Sequence, residues 1–244
     1  MSQKRLRVFA GPNGSGKTTI INELIKNISL GIYVNADDIE QALLKNNSLN
    51  LTDFSIQLST NNVQEFFKGS LLSPVKLNDK GIWKSFSVSE NRLIIEQGLK
   101  VNSYIAADIA ELIRQSLLLN NISFSFETVL SYQGKLEFLQ KAKENGYRVY
   151  LYYIATEDPE ININRVNIRV AQEGHAVSPE IIKSRYYRSL DNLKQAVQLT
   201  NRAYIFDNSG NVNRLVAEVT EGKEVEIFDP ENSPNWFIKF LVEK

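Results

Sequence analysis

Apolar residues fall into two kinds of pattern along this chain. Five short runs, Leu6–Ala10, Gly31–Asn35, Ile122–Glu127, Tyr147–Ala155 and Ala203–Asp207, are nearly continuous in aliphatic and aromatic residues. Such runs suit strands covered on both faces by helices; a strand with one wet face would alternate apolar and polar. Between them the period becomes helical, over Lys17–Asn27, Asp38–Lys45, Val101–Leu119 and Lys135–Glu144. The last helix carries Leu136, Leu139 and Ala142, and Gly146 stands where a C-terminal cap is expected. Repeated strand–helix alternation predicts an α/β fold, a five-stranded parallel sheet with right-handed crossovers.

Residues 48–98 break this rhythm. They are too long for a simple crossover and richer in Asn, Ser and Leu. Leu71–Leu77 and Ile82–Val88 flank the polar stretch Asn78-Asp79-Lys80-Gly81 and predict a small hairpin. Phe86 and Val88 alternate with Ser85, Ser87 and Ser89, as a half-exposed strand would. The region reads as an insertion, equally a substrate-side cap or an ornamental or dimerising excursion. Residues 211–244, with a strand-like Glu224–Phe228 and an apolar Trp236–Val242, read as a docking tail on a single domain spanning 1–244.

Composition narrows the function classes. A chain of 244 residues can bury one large core, and 43% apolar with 23% charged residues is ordinary for a globular protein. Lys plus Arg balances Asp plus Glu at 28 each, so no global basic field recruits nucleic acid or an anionic membrane. The absence of cysteine excludes disulfides, thiolate zinc sites and a cysteine nucleophile. No apolar run approaches the ~20 residues that span a bilayer, and the N-terminal apolar stretch is too short for a signal peptide. The expectation is a cytoplasmic protein.

The first strand runs directly into Gly11-Pro12-Asn13-Gly14-Ser15-Gly16-Lys17-Thr18-Thr19, which fits the phosphate-loop pattern G-x-x-x-x-G-K-[ST] at every fixed position. Glycines let the loop amides face phosphate oxygens, Lys17 sets a charge on the β- and γ-phosphates, and the Thr18 hydroxyl can ligate magnesium. ATP with magnesium is therefore expected, but the loop alone does not choose among motor, switch and kinase. The second strand ends in Asn35-Ala36-Asp37-Asp38, at the edge where ligands meet open α/β sheets. Asp37 reads equally as a general base for an acceptor hydroxyl or as the cap of the following helix. Glu127 and Thr128 end the third strand, where an acid could organise magnesium or bind substrate. Arg165, Arg169, Arg185 and Arg188 stand at helical spacings on either side of a predicted break at Gly174, with Ser178-Pro179-Glu180 opening the next helix. Converging arginines stabilise a phosphoryl group in transfer, whereas ion pairs with Glu173, Glu180 or Asp191 would make some of them structural. His175, the only histidine, is a poor candidate for catalysis or metal binding.

Taken in order, AGPNGSGKTT, NADDI, SFETVLS, GYRVYLYYI, RVNIRVAQEGHAVSPEIIKSRYYRSLDNL and FDNS resemble the zeta-toxin family of phosphate-loop kinases. The likeness covers residues 5–46 and 100–210 and is most similar to a short stand-alone branch. It implies a phosphate-loop NTPase three-layer α/β/α sandwich with strand order 2-3-1-4-5. It also implies transfer of the ATP γ-phosphate to a hydroxyl of a UDP-N-acetylglucosamine-like nucleotide sugar, and an antitoxin protein as a partner. By motif, Lys17 serves the phosphates, Thr18 the magnesium and Asp37 the base role. Asn35, Glu127, Thr128 and Arg165 go to the acceptor, Arg169 with Arg185 or Arg188 to the lid, and Asp207 and Asn208 to the nucleotide base. Two other readings stand beside it. An ATP-binding regulatory module would bind nucleotide and a protein without phosphotransfer; a nucleic-acid 5′-hydroxyl kinase would need a basic groove that the charge balance does not supply.

Overall fold

A computed structural model describes residues 3–171 and 177–243. The elements in chain order begin with β1 (Arg5–Ala10), α1 (Lys17–Leu24), β2 (Ile32–Val34), α2 (Ala36–Asn46) and β3 (Ser48–Asn50). α3 (Thr60–Gly69), α4 (Ser73–Lys76), β4 (Phe86–Ser89), β5 (Arg92–Ile95) and α5 (Ser103–Leu119) follow. Next come β6 (Phe124–Thr128), α6 (Gly134–Glu144), β7 (Arg148–Ala155), α7 (Pro159–Val170), α8 (Pro179–Asp191) and α9 (Leu193–Gln198). β8 (Arg202–Asp207), β9 (Arg214–Thr220) and β10 (Glu224–Ile227) complete the strands, before helical turns at Asn235–Phe237 and Ile238–Val242. The five expected strands and four expected helices are all present. The chain divides into two compact units, Met1–Leu30 with Ser125–Lys244, and Gly31–Phe124.

In the first unit the strands lie in the order β10-β9-β8-β7-β1-β6. β1, β7 and β8 are parallel, with Val8 opposite Leu151 and Leu151 opposite Ala203. Leu6, Val8, Val149, Leu151, Tyr153, Ala203 and Ile205 share one face and are buried, under α6 and α9. Phe9, Tyr152 and Tyr204 form a stacked ladder on the other face, with ring centroids 4.9 and 5.1 Å apart. Apolar side chains on both faces explain why β1 and β7 read as continuous runs. Gly146 follows α6 with φ 76°, and Tyr147 N–H donates to the Ala142 carbonyl at 3.0 Å, closing a Schellman turn at the expected cap. Residues 211–244 do more than dock: β9 and β10 extend the parallel sheet by two antiparallel strands.

In the second unit, Ile32 N–H donates to the Ser123 carbonyl at 3.3 Å, so β2 runs beside the residues leading into β6. α2 and α5 pack together, burying Ile39, Leu43, Ile105, Ile109 and Ile113. The hairpin expected across Leu71–Val88 is not formed. Pro74 lies in the first turn of α4, where its fixed φ favours a helical start. The hairpin is instead β4–β5, turning at Glu90 and Asn91 with φ of 49° and 55°, the paired left-handed backbone that matches strand twist. Phe86 is buried while Ser87 and Ser89 are exposed, so the alternation itself was correctly read. β3 completes a separate sheet, ordered β3-β5-β4. Asp108, 4% exposed on α5, ties this region together. Its carboxylate accepts from Ser70 Oγ at 2.8 Å, Ser73 N–H at 2.9 Å and Ser73 Oγ at 2.5 Å.

Candidate active site

The phosphate loop joins β1 to α1, and α1 has no side-chain cap: Gly16 occupies the cap position with φ 94°. A helix start of this kind leaves amides for an anion and adds the positive end of the helix dipole. Lys17 Nζ donates to the carbonyls of Gly11 and Pro12, at 3.0 and 3.1 Å, which holds the ammonium over the loop. Gly11 N–H donates to the Thr128 carbonyl at 3.2 Å, fixing the loop to the end of β6. Ser15 Oγ and Asn13 Oδ1 are buried without a hydrogen-bond partner among the described residues. Such orphans are costly unless a ligand or water completes them. Thr18 and Thr19 are exposed on the first turn of α1.

Two glycines are dictated by close approach. A Cβ on Gly14 (φ 75°) would lie 2.5 Å from the Asn162 carbonyl oxygen, and one on Gly16 would lie 2.1 Å from Asn208 Nδ2. Both asparagines also hold the loop. Asn162 Nδ2 donates to the Asn13 carbonyl at 2.6 Å, and Asn208 Nδ2 to the Ser15 carbonyl at 2.8 Å. Asn162 is buried on α7 with Pro159, Ile163 and Val166, an i, i+3, i+4, i+7 stripe in which it takes an apolar slot. That irregularity was the available signal for a residue that sequence reasoning missed.

α7 and α8 pack as a helical hairpin along Ile163, Val166 and Ile182. Ser178 caps α8 and Pro179 opens it, as expected. Glu173, Gly174 and His175, on which a lid break was expected, lie outside the described residues. Arg169 and Arg188 are exposed and Arg185 half-buried, and Arg188 Nε donates to the Ser184 carbonyl at 3.3 Å. Arg165, expected to touch substrate, donates to the carbonyls of Asn208 and Gly210, at 2.8 and 3.2 Å. Asp207, expected near the nucleotide base, accepts from Trp236 Nε1 at 3.0 Å and Ser209 Oγ at 2.6 Å. It buckles the C-terminal turn to the sheet. Glu127 and Thr128 are half-buried at the end of β6, where the Thr128 hydroxyl accepts from Leu130 N–H at 3.1 Å.

The second unit carries Asn35 and Asp37. Asn35 is the cap of α2, its side chain accepting from Asp37 N–H at 2.8 Å, so the cap expected of Asp37 belongs to its neighbour. The helix begins at Ala36, which leaves the Asp37 carboxylate out of the cap. Asp38 is exposed as a residue, but partial desolvation of its carboxyl, with the Asp37 charge adding to it, raises that carboxyl above its ordinary value. Among the described residues no group of three or more His, Cys, Asp or Glu could hold a metal ion, and no helix is long and apolar enough to cross a membrane.

A glycine loop between the central strand and a helix, in a mainly parallel sheet, defines a phosphate-loop NTPase-like α/β protein. Residues 97–219 match the Zeta toxin family, just over half of the chain, and the chain belongs to that family. The phosphate loop lies outside the matched stretch. A Haemophilus influenzae protein described as uncharacterized is 39% identical over 66 residues, 27% of this chain and 47% of that protein. The chain therefore spans about half of that relative. Among solved structures, AvrRxo1-ORF1:AvrRxo1-ORF2 with sulphate ions aligns with a TM-score of 0.56 and 17% identity, covering 96% of this chain and 65% of that one. A structure from the PezAT chromosomal toxin-antitoxin system of Streptococcus pneumoniae aligns at 0.50 with 18% identity, covering 87% and 72%.

Proposed function

We propose that the protein is an ATP- and magnesium-dependent kinase that phosphorylates a hydroxyl of a nucleotide sugar resembling UDP-N-acetylglucosamine. Membership of the Zeta toxin family is what supports phosphotransfer, and the phosphate loop, with its uncapped helix start, its tethered Lys17 and the orphaned Ser15 hydroxyl, is what supports ATP as the donor. These groups fit a triphosphate. The exposed Thr18 hydroxyl fits a cation that keeps most of its waters and takes its other ligands from phosphate; bound there, magnesium would offset charge on the β- and γ-phosphates. AvrRxo1-ORF1:-ORF2 has also been solved with ATP, and the likeness to it and to the PezAT system supports ATP as donor and an antitoxin protein as partner.

In the proposed reaction the acceptor oxygen forms a bond to the γ-phosphorus as the bridge to the β-phosphate breaks. ADP leaves, and the hydroxyl proton passes to the Asp37 carboxylate. Asn35 supports this role, because it performs the capping that would otherwise occupy Asp37. Lys17 and the lid arginines Arg169, Arg185 and Arg188 stabilise the charge of the transferring group, and Glu127 and Thr128 bind the acceptor. The test is label transfer from γ-labelled ATP, with magnesium, to a panel of nucleotide sugars by wild type and Asp37→Asn. Loss of a general base lowers transfer by ~10²–10⁴-fold. A wild type that labels no nucleotide sugar overturns the acceptor; a variant that labels as well as wild type overturns the base.

A further inference from the structure

Each asparagine that holds the phosphate loop binds a peptide unit whose other end is the amide of a glycine. The Asn13 carbonyl and the Gly14 N–H belong to one planar unit, as do the Ser15 carbonyl and the Gly16 N–H. Among the described residues no peptide is cis, so in both units the carbonyl and the N–H point in opposite directions. When Asn162 draws the Asn13 carbonyl toward α7, the Gly14 N–H turns away from α7. When Asn208 draws the Ser15 carbonyl toward the end of β8, the Gly16 N–H turns away from β8.

Both asparagines are themselves fixed. Asn162 Oδ1 accepts from Thr156 Oγ1, so the amide cannot flip without setting its oxygen against the Asn13 carbonyl. The Thr156 carbonyl in turn accepts from Tyr186 OH of α8 at 2.6 Å. Asn208 N–H donates to the Ala155 carbonyl at 2.8 Å, and its own carbonyl receives Arg165 at 2.8 Å. The two clamps thus come from different elements, α7 and the loop after β8, each locked from behind.

We infer that Asn162 and Asn208 are positioning residues that aim the Gly14 and Gly16 amides at the phosphates before nucleotide arrives. This rests on the proposed reading of the loop as a nucleotide site. Their contribution goes to the phosphates of the ligand and not to its nucleoside. Asn162→Ala and Asn208→Ala are each expected to weaken ATP binding about tenfold while weakening AMP binding less than threefold, so the ratio of the ATP to the AMP dissociation constant rises more than about threefold. A purely structural role would weaken both nucleotides alike. Titration calorimetry with ATP and AMP, both with magnesium, reads the ratio, and melting curves report folding. Asn208 is half-exposed, so its variant carries the test if removal of buried Asn162 unfolds the chain. An unchanged ratio in a folded Asn208→Ala overturns the clamp and leaves the nucleotide reading standing. A wild type that binds no ATP overturns both.

Discussion

Gly14→Ala tests the loop geometry most directly. At φ 75° the alanine pays for a left-handed backbone, about 1–2 kcal/mol. Its methyl carbon would begin 2.5 Å from the Asn162 carbonyl oxygen and 3.1 Å from the carbonyl carbon and Cα of the same residue. These are main-chain atoms of a helix, so no rotamer change relieves the overlap. The loop must retreat from α7, which stretches the 2.6 Å hydrogen bond from Asn162 to Asn13. Losing that bond costs about 1–3 kcal/mol more where its partners stay buried. The sum, about 2–5 kcal/mol, corresponds to a fall in melting temperature of roughly 5–15 °C for a chain of this size. Gly69→Ala is the control. Gly69 closes α3 with nothing within 4 Å of an added Cβ, so that variant melts at or slightly above the wild-type temperature. Differential scanning calorimetry of the three proteins decides the matter. A Gly14→Ala that melts within a degree of wild type would refute the close approach and the strain together.

Arg165→Ala should raise KM for ATP several-fold with little change in kcat, because Arg165 braces the Asn208–Gly210 carbonyls; a kcat loss of ~10³-fold would restore it to the transferring phosphoryl group. Asp108→Ala orphans the two donors of Ser73 and the Ser70 hydroxyl, so its urea midpoint should report a loss of about 3 kcal/mol. The raised Asp38 carboxyl has a signed consequence: the folded state holds its proton longer than the unfolded one, so ionisation destabilises the fold. The penalty is absent below the ordinary value of 3.8, grows as pH rises toward the raised folded value and persists above it. Asp38→Asn should therefore melt higher than wild type at pH 7, and the gap should close below pH 3.8; a gap independent of pH would refute it.

The parallel sheet was legible because burial on both faces writes itself into sequence as uninterrupted apolar runs. Val149, Leu151 and Tyr153 face one way, while Tyr152 stacks on Phe9 and Tyr204 the other way. Residues 48–98 were harder because their elements are short and their apolar stripes narrow. α3 begins Thr60-Asn61-Asn62 and buries only Val63 and Phe67, too few contacts to declare a helix. The true hairpin turn, Glu90-Asn91, lacks the glycine that usually announces it. In the site, the glycines and Lys17 were visible because their chemistry demands those residue types at that spacing. Asn162 was not, because it addresses a main-chain carbonyl, and a carbonyl belongs to every residue type; Asn208 was singled out, but for the nucleotide base and not for its hold on the Ser15 carbonyl. Asn162 and its acceptor at Asn13 are 149 positions apart.

That contrast changes what the glycines of the loop mean. A phosphate-loop glycine is ordinarily attributed to the approach of a ligand, yet Gly14 and Gly16 are already required by Asn162 and Asn208. At Gly14 and Gly16 the residue that a side chain would strike is the residue that grips the preceding carbonyl. The grip and the empty Cβ position are one arrangement seen from two sides. A loop held this way has part of its ordering cost met in folding, which leaves less to be lost when a phosphate binds. It also links the loop to α8, because Tyr186 reaches Asn162 through Thr156. A shift of α7 and α8 would then be felt at the Gly14 amide through three hydrogen bonds, without any contact between Arg169, Arg185 or Arg188 and the loop.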